Sequence, residues 1–340
     1  MNGLINKIKK KRRQLLEELW NNAAYDDASF STFETAIENY LTPQKKYSYS
    51  LDELCFELTT VRNRNLITAK EQQKLRKSTV GVFGLSVGSH AALTWIMESR
   101  ADAIKIADFD SLAATNLNRL RFGWEDVGEM KVSVVSKYLQ SINPFTQIIT
   151  ETNVSHENII KLFDTYPKIQ VVVDAIDSMK GKILLRKLAA QRKLPVVSAA
   201  DVGDNVMLDI ERYDKLPQPK FFLGKIPDVE KIDIDALSTI ERKKLIIKLV
   251  GFENVSEQML DSLLNIGDMI ATWPQLGATA TIAGGIVATT IKKILLGEKI
   301  KSGRYYFSLD QLLVADFATP ERELSRNKKI LKLKKELGIR

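Results

Sequence analysis

Residues 78–110 read STVGVFGLSVGSHAALTWIMESRADAIKIADFD, and the fold is decided here. Residues 79–83 form a short apolar strand, and the turn Gly84-Leu-Ser86-Val-Gly88-Ser89 follows directly. Helical spacing over 90–100 leads to a second apolar strand over 103–107, closed by Asp108. A strand, a glycine turn, a helix and another strand make a βαβ unit, in which the two strands run parallel.

Outward from this unit the alternation continues. Helix 128–141, strand 146–151, helix 155–164, the run Ile169-Gln-Val-Val-Val-Asp174, helix 179–192 and strands 195–199 and 206–211 follow in order. Such alternation predicts an α/β fold with a doubly wound, mainly parallel, Rossmann-like sheet. Val171-Val172-Val173 fits a strand covered on both faces. Upstream, apolar spacing predicts helices over 3–22, 27–41 (capped by Ser29 or Ser31), 51–61 and 68–76, the last with Thr68 and Glu71 as a capping box. Downstream, 212–270 breaks the alternation with Pro217, Pro219 and Pro227 and two charged helices, 236–249 and 256–265. The uncharged run 269–291 predicts a buried helix, opened by Thr272-Trp273-Pro274-Gln275-Leu276 and packed closely at Gly284-Gly285. Four regions result: a helical N-terminal segment (1–60), a nucleotide-binding core (61–212), a substrate-side region with an insertion and the long helix (213–320), and a basic C-terminal helix (321–340).

Composition narrows the function. The chain has 340 residues, 44% hydrophobic and 27% charged, as in a globular protein. The run 269–291 holds five threonines and Pro274, too polar for a membrane span. No apolar signal segment follows the charged N-terminus, so the reading is cytoplasmic. The net charge of +8 concentrates at the ends: 7–13 (KIKKKRR) carries six basic side chains, and 321–340 carries eight basic against three acidic ones. The remainder sums to −3, so the body is no basic platform and nucleic acid is not an expected partner. The single cysteine, Cys55, excludes an internal disulfide and a cysteine-built zinc site, so no zinc is expected. On an apolar helical face with Leu51, Leu54 and Leu58, it reads as core.

The turn Gly84–Gly88 departs from G-x-G-x-x-G, with Ser86 and Ser89 in place of glycines. It fits either a phosphate loop opening a helix or a tight turn without a ligand. Asp108, 20 residues beyond Gly88, suits a ribose diol without choosing between NAD and ATP. The choice comes from Asp108-Phe-Asp110-Ser-Leu-Ala-Ala-Thr-Asn116-Leu-Asn118-Arg119, then Gly128-Glu-Met-Lys131, then Asp174-Ala-Ile-Asp177-Ser-Met-Lys180. With Arg62-Asn-Arg64-Asn65 upstream, this order resembles the adenylation core of the ThiF/MoeB/HesA superfamily, the bacterial relatives of ubiquitin-activating enzymes. The resemblance runs from about 62 to 212. It implies an ATP- and Mg²⁺-dependent adenylyltransferase working as a homodimer. Gly84, Ser86, Gly88, Asp108 and Asp110 would bind the nucleotide, with Asp108 on the ribose. Asn116, Arg119 and Lys131 would contact phosphates, and Asp177 would hold the metal. Arg64 would reach the phosphates of the partner subunit's nucleotide.

Elementary electrostatics supports this chemistry. A carboxylate attacking the α-phosphorus of ATP meets a polyanion, so fixed cations must neutralise charge, and no general base is needed. His90 and His156 read as polar helix-start residues. Many superfamily members relay the acyl group through a cysteine thioester after the core, which a chain with only Cys55 lacks. The acyl-adenylate itself is then the activated species, as in relatives that mature microcin- and pantocin-type peptides. The expected substrate is a peptide or small-protein carboxylate in natural-product biosynthesis. Alternatives are the C-terminus of a sulfur-carrier or ubiquitin-like protein, a tRNA carboxylate, or an NAD(P)-dependent oxidoreductase, the last predicting a cleaner glycine fingerprint. Trp273 fits a channel lining or a buried helix start; Asp201, Asp204 and Asn205 fit a substrate contact or a turn.

Overall fold

The computed structural model describes residues 2–22, 50–152, 155–215, 220–251, 255–266, 269–270, 272–336 and 338. The helix expected over 27–41, with Ser29 and Ser31, lies outside these residues, as do Pro217 and Pro219. Seven strands form one sheet: β1 (Val80–Phe83), β2 (Ala103–Ala107), β3 (Gln147–Glu151), β4 (Val171–Asp174), β5 (Pro195–Asp201), β6 (Asn205–Arg212) and β7 (Gly303–Ser308). Their order is β3-β2-β1-β4-β5-β6-β7. The first five strands are parallel, while β6 runs antiparallel to both of its neighbours, β5 and β7. The order reverses direction between β1 and β4, which opens a crevice at the C-terminal ends of the strands.

Alternation along the buried strands builds two cores. Val80, Val82, Ile104, Ile106, Val171 and Val173 face one side, under the helices Val87–Ser99, Lys131–Ile142 and Gly277–Leu296. Phe83, Ala107 and Val172 face the other, under the helices His156–Asp164 and Met179–Gln191. The sheet is thus doubly wound, as the alternation of elements predicts. Lys105 breaks the apolar pattern of β2 yet is fully buried. Its ammonium donates to Leu162 O (2.6 Å), Thr165 O (2.8 Å) and Thr165 Oγ1 (3.0 Å), capping the C-terminal end of the helix His156–Asp164. Burial pulls its pKa down to about 8.

Three expectations shift. The N-terminal helix is two helices, Asn2–Lys10 and Arg12–Asn22, with a turn at Lys11. The helix expected over 269–291 runs Gly277–Leu296 instead, so Trp273 precedes it rather than opening it. Pro274 disfavours helical geometry at the residue before it, and Lys292 at the far end continues the helix while paired to Glu98 at 2.6 Å. Of the two adjacent glycines only Gly284 makes the close approach: a Cβ there would sit 2.3 Å from His90 Cβ, while one at Gly285 meets nothing within 4 Å. This helix is long and apolar enough to cross a membrane by length and composition. Here it packs in the core through Val287 and Ile291. Strand β7 was not foreseen, because GRYYFS at a sheet edge lacks an apolar alternation. It is held to β6 by Arg304 on Asp209 at 2.7 Å, both nearly buried.

Candidate active site

The turn after β1 comes first. Gly84 has φ +88°, and a Cβ would lie 2.2 Å from the Ala175 carbonyl oxygen. Glycine is required there so that the ends of β1 and β4 can meet, a demand of the fold rather than of a phosphate. Gly88 is buried against Val82 and Ala175. Ser86 precedes the helix Val87–Ser99, and its hydroxyl makes no cap bond; Oγ is buried without a partner among the described residues. An unspent hydroxyl beside the unpaired N–H groups of a helix start suits an anion. Ser89 satisfies itself on Ser86 O at 2.8 Å.

Asp108, just past β2, ties this turn down. Its Oδ2 accepts from Leu85 N at 2.6 Å and its Oδ1 from Asp110 N at 2.8 Å. Burial pushes the carboxyl above its usual value, against the backbone donors and Lys131. Both oxygens keep a second lone pair and remain able to accept a further donor. Lys131 starts the next helix with its side chain nearly buried, and its Nζ meets Asp110 Oδ2 at 2.7 Å. Lys131 N also donates to Asp110 O at 2.9 Å. The D-x-D turn therefore aims the lysine.

Arg119 follows the short helix Ala114–Asn116, where Asn116 Oδ1 accepts from Ala113 N at 3.1 Å. NH1 of Arg119 donates to Thr115 O (3.0 Å) and Asn118 Oδ1 (2.9 Å), while its buried Nε has no partner among the described residues. Burial lowers its pKa, and Asp177 and Asp201 oppose that shift. Both carboxylates therefore lie within electrostatic reach of this one guanidinium. His90 joins its Nε2 to the Arg119 carbonyl at 2.6 Å and is nearly buried, with burial holding its pKa below the usual value. It positions the Arg119 backbone, a role that helix-start polarity alone did not reveal.

The two aspartates at the end of β4 and just past it sit in opposite surroundings. Asp174 is fully buried: Arg186 reaches it at 2.6 Å and Lys182 at 3.2 Å. Burial alone would raise its pKa, but Lys182 and Arg186 prevail and hold the carboxyl below its usual value. Arg186 continues to Glu211 at 2.7 Å, and Glu211 also accepts from Tyr213 OH and Phe222 N, each at 2.6 Å. Asp177 is exposed and makes no hydrogen bond or ion pair among the described residues. A single open carboxylate suits Mg²⁺, which takes one or two carboxylates and fills its shell with phosphate and water oxygens. No cluster of three or more His, Cys, Asp or Glu side chains that could hold a metal occurs among the described residues.

Parallel strands thus bring Gly84, Ser86, Gly88, Asp108, Asp110, Asn116, Arg119, Lys131 and Asp177 to one edge of the sheet. Arg64 is elsewhere. It follows the short helix Val61–Asn63, with Glu57 at 3.7 Å. Asn63 Nδ2 and Gln72 Nε2 nearby donate to Glu98 O, at the C-terminal end of the helix Val87–Ser99. That helix separates its own two ends by roughly 20 Å, so Arg64 lies far from the glycine turn of its own chain. Beside Asp108, Phe109 is 57% exposed and borders a cleft of about 810 Å³. Ile176, Gly181 and Ile183 form one wall of it, and Ile232 and Ile234 the other.

Two further residues join the edge. Asp201 ends β5, and Gln275 reaches it from the segment before the long helix. Asp204 and Gly203 form the tight β5–β6 turn, with Gly203 at φ +83°. The strand-end position of Asp201 was legible; its neighbours were not.

Comparison with known proteins fits this arrangement. An uncharacterized Mycobacterium tuberculosis protein, MT1398, is 31% identical over 244 residues, 72% of this chain, but the chain spans only a third of that protein's length. The tRNA threonylcarbamoyladenosine dehydratase of Bacillus subtilis is 29% identical over 54% of the chain and 67% of its own length. In fold, the chain is similar to the crystal structure of PaaA (TM-score 0.53, 19% identity, covering 75% of this chain and 77% of that one). It is also similar to Escherichia coli MccB with ATP (TM-score 0.52, 18% identity, covering 87% and 84%). The ThiF family model matches residues 60–330, a span that takes in the whole sheet and both cations at its C-terminal edge, and on that match the chain belongs to the ThiF family.

Proposed function

We propose that this protein adenylates a carboxylate of a peptide substrate with ATP, releasing pyrophosphate, and hands on the acyl-adenylate without a thioester, as a homodimeric peptide maturase of natural-product biosynthesis. The observation that carries this reading is Arg119. It is half-buried, aimed by His90 and its own turn, short of one hydrogen-bond partner among the described residues, and in the electrostatic field of Asp177, the open carboxylate just past β4.

Each residue has a part. Ser86 and the start of the helix Val87–Ser99 receive phosphate oxygens. Lys131 exchanges its hold on Asp110 for a phosphate contact, and Asn116 and Arg119 neutralise the charge that develops as pyrophosphate leaves. Asp177 holds Mg²⁺, which supplies Lewis-acid neutralisation of the phosphates. The cleft beside Phe109 offers an apolar floor for the base, next to Asp108 on the ribose. Arg64 serves the site of the partner subunit, which accounts for its place at the far end of its own nucleotide helix. The similarity to PaaA and MccB in fold, together with the lone Cys55 on a helix before the core, favours a peptide over a protein relay.

Substrate-dependent ATP–pyrophosphate exchange tests the reading, with candidate precursor peptides, a small protein ending in Gly-Gly and tRNA as acids. Exchange with a peptide that vanishes in Asp177→Ala supports it. Exchange only with the Gly-Gly protein or with tRNA moves the substrate class, and NADH binding without any exchange overturns adenylation.

A further inference from the structure

Asp201 lies outside the motifs that define the nucleotide site, and its environment is one that a fold does not choose for stability. The residue is 3% exposed. Its backbone carbonyl accepts from Trp273 Nε1 at 3.0 Å, and its Oδ2 accepts a long bond from Gln275 Nε2 at 3.3 Å. Its Oδ1 is buried and has no partner among the described residues. The adjoining turn is pinned as well, since Thr279 Oγ1 donates to Gly203 O at 3.0 Å. The carboxylate is therefore anchored on one side and left open as an acceptor on the other. Burial pushes its pKa up to about 6, with Gln275 and Arg119 pulling the other way.

Arg119 supplies the complement. Its buried Nε is a donor without a partner among the described residues, and it lies in the field of Asp201. An unspent acceptor on Asp201 and an unspent donor on Arg119, on segments joined through Gln275 and Asn118, fit a ligand that offers a donor next to an anionic oxygen. A buried carboxylate accepts but cannot donate, and a charge-assisted bond to it strongly penalises a ligand with no donor there.

We propose that Asp201 accepts a hydrogen bond from the substrate N–H nearest the carboxylate that is activated, while Arg119 faces the neighbouring acyl-phosphate oxygens, so that the pair selects amide-bearing acids. The substrate class is then a peptide acid, rather than a hydroxy acid or an ester-linked acid of the same shape. This inference rests on the adenylation reading and adds the recognition element to it. Gln275 is the positioning residue: it fixes the carboxylate and keeps its own carbonyl bonded to Asn118 Nδ2 at 2.8 Å, in the same turn as Arg119.

The experiment is ATP–pyrophosphate exchange on the full chain with acetylated tripeptides ending in each amino acid except proline, whose amide has no N–H. Each is paired with a depsipeptide in which the last N–H is replaced by oxygen. Wild type should favour the peptide over its depsipeptide by about tenfold or more, and Asp201→Asn should reduce that preference to about twofold or less. The variant should also melt higher than wild type at pH 7.5, because it removes a buried charge with an open acceptor. Three outcomes overturn the inference while adenylation stands: wild type exchanges both series equally, Asp201→Asn keeps the full preference, or the variant melts lower or fails to fold. The last would mean that Oδ1 is satisfied within the fold. Absence of exchange with all of these acids and also with the precursor peptides, the Gly-Gly protein and tRNA overturns the adenylation reading itself, and the inference with it.

Discussion

Asp174 and Asp177 are three residues apart and look alike in sequence, yet the fold uses them in opposite ways. Asp174 is sealed against Arg186 and Lys182, so Asp174→Ala strips the buried Arg186 of one of its two carboxylate partners and should cost about 3 kcal/mol in urea unfolding. Asp177 is exposed with no partner to lose among the described residues, so Asp177→Ala should change stability by less than about 0.5 kcal/mol. It should nevertheless lower pyrophosphate exchange by about a hundredfold or more. Loss of folding in the second variant, or full activity in it, contradicts the division. Asp201 makes a pH prediction. Its folded pKa of about 6 exceeds the ordinary 3.8, so the folded state binds the extra proton between these values. The stabilisation this confers is complete below about pH 4 and is lost as pH rises through 6. Above that, the ionised group costs up to about 3 kcal/mol. Asp201→Asn should therefore melt a few degrees higher than wild type at pH 7.5 and equally at pH 4, checked by calorimetry across that range.

Among the elements, the glycine turn and the long helix place the most stringent demands on shape. At Gly84 any side chain must both adopt φ +88° and displace the Ala175 carbonyl. Gly84→Ala should cost at least about 2 kcal/mol and separate β1 from β4, lowering the yield of folded protein. Gly284→Ala pushes the helix Gly277–Leu296 off His90, with an overpacking cost of about 1–3 kcal/mol. Because His90 holds the Arg119 carbonyl, its exchange rate should fall more than its stability does. Gly285→Ala, which meets open space, should leave both unchanged. A Gly284→Ala variant with wild-type exchange would uncouple this helix from the site.

At the scale of the molecule, the separation of Arg64 from the phosphate turn makes assembly testable. If Arg64 works across a two-fold axis, Arg64→Ala and Asp177→Ala proteins are each inactive as homodimers. Mixed and allowed to exchange subunits, they form heterodimers in which one of the two sites has both residues. Activity should then recover to about a quarter of wild type, since half the dimers are mixed and each has one intact site. No recovery on mixing, or full activity of Arg64→Ala alone, contradicts the shared site. The buried network Asp174–Arg186–Glu211 serves a different purpose: it joins the end of β4 to β6 and to Phe222, from which the chain runs on to the far wall of the cleft.

Runs such as Val171–Val173 and the spacing of Gly84, Asp108, Lys131 and Asp177 are local, and they determined the doubly wound sheet and the cluster at its edge. Parallel strands separated by helices permit few arrangements, and their C-terminal ends must share one side. Lys105 in β2, the strand at Gly303–Ser308 and the start of the long helix were not legible, because each depends on a neighbour distant in sequence. Lys105 is tolerated through the carbonyls of Leu162 and Thr165, β7 through Asp209, and the helix start through the turn at Asn118. The same limit applies to Asp201. Its position at a strand end could be read from sequence, but its open buried oxygen exists only once Gln275, 74 residues further along, has been folded onto it. Whether a buried polar group is satisfied depends on tertiary packing, which no local pattern encodes.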